Sequence, residues 1–256
     1  MKRAGIIVLL VTTLLGCRER LPETPRLEQA RKLQQSGDAI PAPKKVAQAP
    51  KQLQALLKGG KLVLEDNFNR SELGVDWKTG TSQWKLAGGE ILNRKADNKG
   101  MWLNVKLPEG NVRIEFDARS DKFKRKNAKG ESKEVFDGDL KCEAFNTQPK
   151  HQTGYIFIFG GWGNRINRIA RLEEHGDGEG AAVMDGPKHP VKAGHTYRIK
   201  IIKSDNVVAF YADDKYLVHY RDPKPIEGRY FGFNNWRSRL TFDNLAIYEL
   251  SKAKKK

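Results

Sequence analysis

An all-β fold, a two-sheet antiparallel β-sandwich of jelly-roll type, is predicted by three features of the chain. Beyond Leu62 the apolar residues recur with period two rather than 3.6, turn residues separate these runs at short intervals, and no stretch sustains a helical stripe for three turns. All five Trp, all seven Tyr and all eleven Phe lie beyond that residue, so the core is built over 62–250, a length suited to one domain.

The chain opens MKRAGIIVLLVTTLLGC: two cations, an apolar stretch from Ile6 to Leu15 broken only by Thr12 and Thr13, then Gly16 and Cys17. Residues 1–16 have the pattern of a signal peptide, too short to persist as a membrane-spanning helix. Leu14-Leu15-Gly16-Cys17 resembles a bacterial lipobox, in which cleavage precedes the cysteine and the thiol is acylated, as with palmitate. The expected mature chain starts at a lipidated Cys17 and is anchored in a membrane outside the cytoplasm. Arg18 stands where an aspartate would signal inner-membrane retention, and by similarity to lipoprotein sorting the outer membrane is expected.

Residues 17–61 read as a disordered basic linker, rich in Pro, Gln, Lys and Ala and too poor in aromatic and β-branched residues to repay ordering, with transient helix in RLEQARKLQQ and KQLQALLK. The strands follow. NVRIEFDAR alternates Val112, Ile114 and Phe116 against Arg113, Glu115 and Asp117; HTYRIKII alternates Tyr197, Ile199 and Ile201 against Arg198 and Lys200. Gly88-Gly89, Ser204-Asp205 and Asp213-Asp214 supply turns. Residues 119–138 form a basic, solvated insertion loop, and 251–256 a basic tail. With Cys17 acylated, Cys142 has no disulfide partner, and its alternation with Leu140 and Ala144 makes it a small core residue.

The formal charge of +16 raises nucleic acid as a partner, but the charge sits in the appendages. Residues 18–61 hold ten Lys and Arg against four acids, 119–138 seven against four, and the tail four Lys, which leaves the folded stretches nearly neutral. That distribution, with an extracytoplasmic address, excludes nucleic acid and suits anionic lipid headgroups or cell-wall polymers.

Nucleotide chemistry is excluded as well. GGWGNR (160–165) lacks the Gly-Lys-Ser/Thr ending of a phosphate loop, and alternation rather than a helix follows it. No G-x-S-x-G, no H-E-x-x-H and no paired histidines occur. Glu115 and Asp117, at i and i+2 on one strand, resemble the catalytic strand of laminarinase-like glycoside hydrolases, without its third acid. Sugar recognition by stacking on indole rings with planar polar side chains nearby fits two loops better. One holds Trp162, Asn164 and Arg165; the other holds Asn234, Asn235 and Trp236. Trp77, Trp84 and Trp102 are expected in the core. The row Arg171, Glu173 and His175 continues the first loop with period two, either as an internal salt bridge or facing a groove.

DNFNRSELGVDWK, SQWKLAGGEILNRKADNKGMWLN, NVRIEFDARS, TGYIFIFGGWGNRINRIARLEEHG and RDPKPIEGRYFGFNNWRSRLTFDNLAIYEL together resemble concanavalin A-like and laminin-G-like jelly rolls, including 3-keto-disaccharide-hydrolase-like domains. The resemblance implies a carbohydrate-related role and no obligatory cofactor, with a structural calcium that Glu65, Asp66 and Asp243 could hold. The resulting expectation is a membrane-anchored lipoprotein whose jelly roll binds a glycan or cell-surface polymer. The ligand-binding candidates are Trp162, Asn164, Arg165, Arg171, Glu173, Asn234, Asn235 and Trp236. The alternatives are a glycoside hydrolase using Glu115, Asp117, Glu173 and His175 as acid/base groups, and an adhesive surface protein without a small ligand.

Overall fold

The computed structural model describes residues 49–251; the signal peptide, Cys17, the linker before residue 49 and the tail from residue 252 lie outside the described residues. In chain order the elements are α1 (Lys51–Ala55), β1 (Lys61–Asp66), β2 (Trp77–Thr79), β3 (Trp84–Ala87), β4 (Glu90–Asn93), β5 (Met101–Leu103), β6 (Asn111–Asp121), β7 (Phe123–Lys126), β8 (Ser132–Val135) and β9 (Leu140–Asn146), then β10 (Tyr155–Gly160), β11 (Ile166–Arg171), β12 (Ala182–Asp185), β13 (Thr196–Ser204), β14 (Val207–Ala212), β15 (Lys215–Arg221), β16 (Tyr230–Asn234) and β17 (Arg239–Leu250). Two large antiparallel sheets result. The first runs β15-β14-β13-β6-β17-β4-β3, with β1 also paired to β17; the second runs β12-β11-β10-β9-β16-β5-β2.

Alternation decides which face of each strand is buried. In β6 and β13 the predicted apolar sets point inward: Val112, Ile114, Phe116, Tyr197, Ile199 and Ile201 all belong to the main core. They meet Cys142, Phe157, Phe231 and Phe233 from the second sheet. Aromatic contacts join the sheets, with Phe233 stacked on Phe242 at 4.4 Å between centroids and Phe157 edge-on to Phe210 at 5.5 Å. Cys142 is buried among them, and burial pushes its thiol well above its usual range, which leaves it unreactive. Trp77, Trp84 and Trp102 are buried as expected.

The opposite parity places Glu115 and Asp117 on the outer face of the first sheet, where they are in register with Lys200 and Arg198. Glu115 takes Arg113 Nε at 2.6 Å and Arg198 Nη2 at 3.1 Å; Asp117 takes Arg198 Nη1 at 3.2 Å and Asn244 Nδ2 at 2.8 Å. These acids are the polar side of an ion-paired strand, which corrects their reading as catalytic groups.

Two boundaries also change. The folded body starts at 49 rather than 62: Ala49 and Leu53 are buried against Ile202, Ala209, Tyr211 and Leu250, and Leu56 O accepts Arg113 Nη1 at 2.8 Å. Leu53, Leu56 and Leu57 supply the apolar side that the linker reading undervalued. The 119–138 insertion is not a loop throughout, because β6 continues to Asp121 and β7 pairs with β8 as a hairpin. The β13–β14 turn lies at Asp205–Asn206, one residue later than expected.

Candidate functional site

On the second sheet, Leu140, Cys142 and Ala144 of β9 face the core, so Lys141 and Glu143 must face outward. Beside them Ile156 and Ile158 of β10 and Ala170 of β11 make a small apolar cluster on that outer face. A cavity of about 430 Å³ opens there, within the range usual for ligand sites. Trp162 and Trp236 form its walls, Lys141 and Ile158 its floor, and Asn98, Asp139, Glu174 and His175 complete it.

The first wall is a left-handed elbow between β10 and β11. Gly160 (φ 73°), Trp162 (φ 51°), Gly163 (φ 70°) and Asn164 (φ 63°) all have positive φ. Gly160 is required twice over, since a Cβ there would lie 2.6 Å from Val191 Cγ2. Asn164 clamps the elbow by donating Nδ2–H to Val191 O and accepting Val191 N–H, both at 2.8 Å. Arg165 Nε donates to Trp162 O at 2.8 Å. The Trp162 ring packs on the Ile156, Ile158 and Ala170 cluster, with the Arg168 guanidinium 4.8 Å over it and the His175 ring perpendicular at 5.5 Å. Arg168 is fixed in turn by both oxygens of Asp185, at 2.6 and 2.9 Å.

Trp236, 45% exposed, is the opposite wall. Arg237 lies 4.7 Å over its ring and pairs with Asp97 at 3.2 Å. Asp97 N–H and Asn98 N–H donate to Trp236 O and Asn235 O, each at 3.0 Å, tying the 97–98 turn to this wall.

Between the walls Lys141, almost wholly buried, donates to Asn98 Oδ1 at 2.7 Å and Glu174 Oε2 at 3.0 Å. Burial, the largest single influence, would raise the Glu174 carboxyl, but the Lys141 cation with its hydrogen bond, together with His151 and His175, holds Glu174 below its usual range. Asp139 behaves oppositely. Burial, with Glu174 and Asp137 adding to it, pushes this carboxyl up to about 6 against the partial relief of Lys141 and the Trp236 N–H. Behind the floor Glu143 is fully buried and accepts from Asn146 Nδ2 at 3.0 Å, Gln152 N–H at 3.1 Å and Asn234 Nδ2, with His151 Nδ1 at 2.6 Å.

The structure thus brings Trp162, Trp236 and His175 together and separates the rest of the expected set. β11 ends at Arg171, and Leu172 takes φ 63°, so the period-two row stops there. Arg171 shares the face of Tyr155 and binds Asp222 Oδ2 at 2.8 Å, so it pairs with neither Glu173 nor the cavity. Glu173 caps its own loop by accepting His175 N–H at 2.7 Å and Asp177 N–H at 3.0 Å. Asn164 and Arg165 hold the elbow. Asn234 and Asn235 are fully buried; the first serves Glu143, and the second donates to Asn93 Oδ1 at 2.6 Å and Ser238 O at 2.7 Å. In place of these the cavity uses Asn98, Asp139, Lys141 and Glu174, and the polar alternate Lys141 in LKCEAF was the signal for its floor.

Glu65, Asp66 and Asp243 do not fit a calcium ion. Asp66 is occupied by Arg70 at 2.5 and 2.8 Å, Trp77 Nε1 at 2.8 Å and Phe68 N–H at 2.9 Å, and Asp243 accepts Asn244 N–H at 2.7 Å. Among the described residues no group of three or more His, Cys, Asp or Glu is placed to hold a metal ion.

A family profile described as "Domain of unknown function (DUF6250)" matches residues 94–245, more than half of the chain. No curated protein matches the sequence. Among solved structures, the carbohydrate-binding module CBM66 from Bacillus subtilis is 16% identical with a TM-score of 0.53, over 68% of this chain and 96% of its own. The exoplasmic/lumenal domain of VIP36, in a Ca2+/Man2-bound form, is 10% identical with a TM-score of 0.54, over 75% and 89% of the two chains. A galectin-like protein of unknown function from Bacillus subtilis is 12% identical with a TM-score of 0.50, over 77% and 99%. These likenesses show the fold: a concanavalin- and galectin-like jelly roll.

Proposed function

We propose that the chain, which belongs to the DUF6250 family, is a lipid-anchored extracytoplasmic protein whose jelly roll binds glycan in the groove between Trp162 and Trp236. The carrying observation is that two indole rings, far apart in sequence, wall one cavity over a floor of fixed polar groups, Lys141, Asn98 and Glu174. Sugars present apolar C–H faces and paired hydroxyls, and this combination matches both. CBM66, which shares the fold, is described as a carbohydrate-binding module and the VIP36 domain as Man2-bound, which supports the reading. Binding to a glycan array by the full chain, lost in Trp162→Ala and in Trp236→Ala, is the expected result; binding unchanged in both variants refutes the site. The anchor is proposed from the Leu14-Leu15-Gly16-Cys17 segment, with the bacterial outer membrane as its destination. Cys17→Ala should move the protein out of the membrane fraction.

A second reading, hydrolysis of the bound glycan, draws on the opposed shifts of Asp139 and Glu174, the split expected of an acid and a base sharing one site. It requires release of new reducing ends that disappears in Asp139→Asn and Glu174→Gln. Binding without products decides against it.

A further inference from the structure

We infer that the groove selects a glycan bearing free amines, with Asp139 as counter-ion to the ligand's ammonium group; the inference rests on the glycan-binding reading above. A second cavity of about 220 Å³ shares Asp139, Trp162 and Trp236 with the first and adds Asp137 and Arg237. The continuous groove is therefore lined by three carboxylates, Asp137, Asp139 and Glu174, against two cations, Lys141 and Arg237. Four of these charges are matched. Lys141 pairs with Glu174, Arg237 with Asp97, and Asp137 with Arg125. Asp139 alone has no cation within salt-bridge distance among the described residues; the Trp236 backbone N–H and the more distant Lys141 cation support its charge only in part.

A partly buried carboxylate in that position carries an electrostatic cost that a ligand cation would relieve. The upward shift of the Asp139 carboxyl, caused first by its burial, is a sign of that cost. The walls favour the same ligand. Indole rings attract cations, and Trp236 stays 45% exposed with Arg237 over its ring. An ammonium in the groove would lie beside both the Asp139 carboxylate and the exposed Trp236. A uronate or sulfate would instead meet the unmatched charge of Asp139. The preference also runs against the chain as a whole, because a net charge of +16 by itself favours acidic polymers.

The experiment is titration calorimetry of the full chain at pH 6.5 with β-1,4-linked tetrasaccharides of glucosamine, N-acetylglucosamine and glucose. The glucosamine tetramer should bind roughly tenfold more tightly than the other two, the size of effect expected for one charge-assisted contact. Asp139→Asn, which keeps a residue type tolerant of the φ of 55° found there, should abolish the tenfold preference, so that the three tetramers bind alike. Equal binding of all three tetramers, or an amine preference that survives in Asp139→Asn, overturns the counter-ion role while leaving glycan binding intact. If no tetramer and no array glycan binds, the glycan-binding reading fails and the inference with it.

Discussion

Lys141 Nζ lies 3.0 Å from Glu174 Oε2 beneath the groove, joining the start of β9 to the loop that follows β11. The lysine side chain is 3% exposed and the glutamate 14%, so neither charge has bulk water as a substitute partner. Lys141→Met leaves a carboxylate without its cation and should cost ~3–5 kcal/mol in urea unfolding at pH 7. Because Glu174 is held below its usual range, the pair's stabilisation is present above the unfolded value of 4.5 and is lost as pH falls through the lower folded value. The difference between parent and variant should therefore shrink at pH 3.

Asp139 has the opposite sign. Its carboxyl rises from 3.8 to about 6 on folding, so between those values the folded chain holds more protons than the unfolded one, and stability falls as pH rises through that window. Asp139→Asn removes this cost. The variant should be more stable than the parent at pH 7 by up to ~3 kcal/mol, with the gap closing below pH 4, as followed by thermal unfolding across that range.

Glu143 is a buried carboxylate whose partners are amides, one backbone N–H and the His151 ring. Glu143→Ala strands Asn234, Asn146 and His151 together and should destabilise by ~3–5 kcal/mol. Glu143→Gln, which keeps one acceptor oxygen, should cost clearly less in the same denaturant titration.

Gly228 packs where a Cβ would sit 2.2 Å from Asn146 C and from Phe145 O, and backbone cannot rotate aside as a side chain can. Gly228→Ala should cost ~2–3 kcal/mol, read as a lowered melting temperature.

Leu53→Ala removes the main apolar contact of α1 with Ile202, Ala209 and Tyr211. It should cost ~2 kcal/mol and make the 49–57 segment cleavable by protease before the sheets unfold.

The sandwich was legible because burial on one side of a strand writes itself as period two. Ile114 and Phe116 with Tyr197 and Ile199 face the core as their alternation requires. Trp162 and Trp236 were also legible as outliers to that pattern, set among glycines and amides. The polar half of the site was not, and the reason is register. Carrying period two past Arg171 selects Glu173, but the left-handed Leu172 breaks the row, and Glu174 turns to the groove instead. Asn234 and Asn235 illustrate a different limit. An amide satisfies a buried carboxylate or carbonyl as readily as a sugar hydroxyl, and sequence does not say which partner it has. Asp139 reaches the groove only because Gly160 O accepts its N–H and Trp236 N–H meets its carboxyl, contacts that belong to the tertiary fold.

The tip of a hairpin is ordinarily the part of a sheet with the greatest freedom, and a ligand that settles on such a tip must first still it. Here the four positive-φ residues of the 160–164 elbow are bolted to Val191 on both edges of the Asn164 amide. Trp162 therefore gives up its motion when the chain folds, and not when a guest arrives. Association at this surface should carry a small entropic penalty from the protein side, and the rate of encounter should be set by diffusion and orientation rather than by waiting for a loop to close.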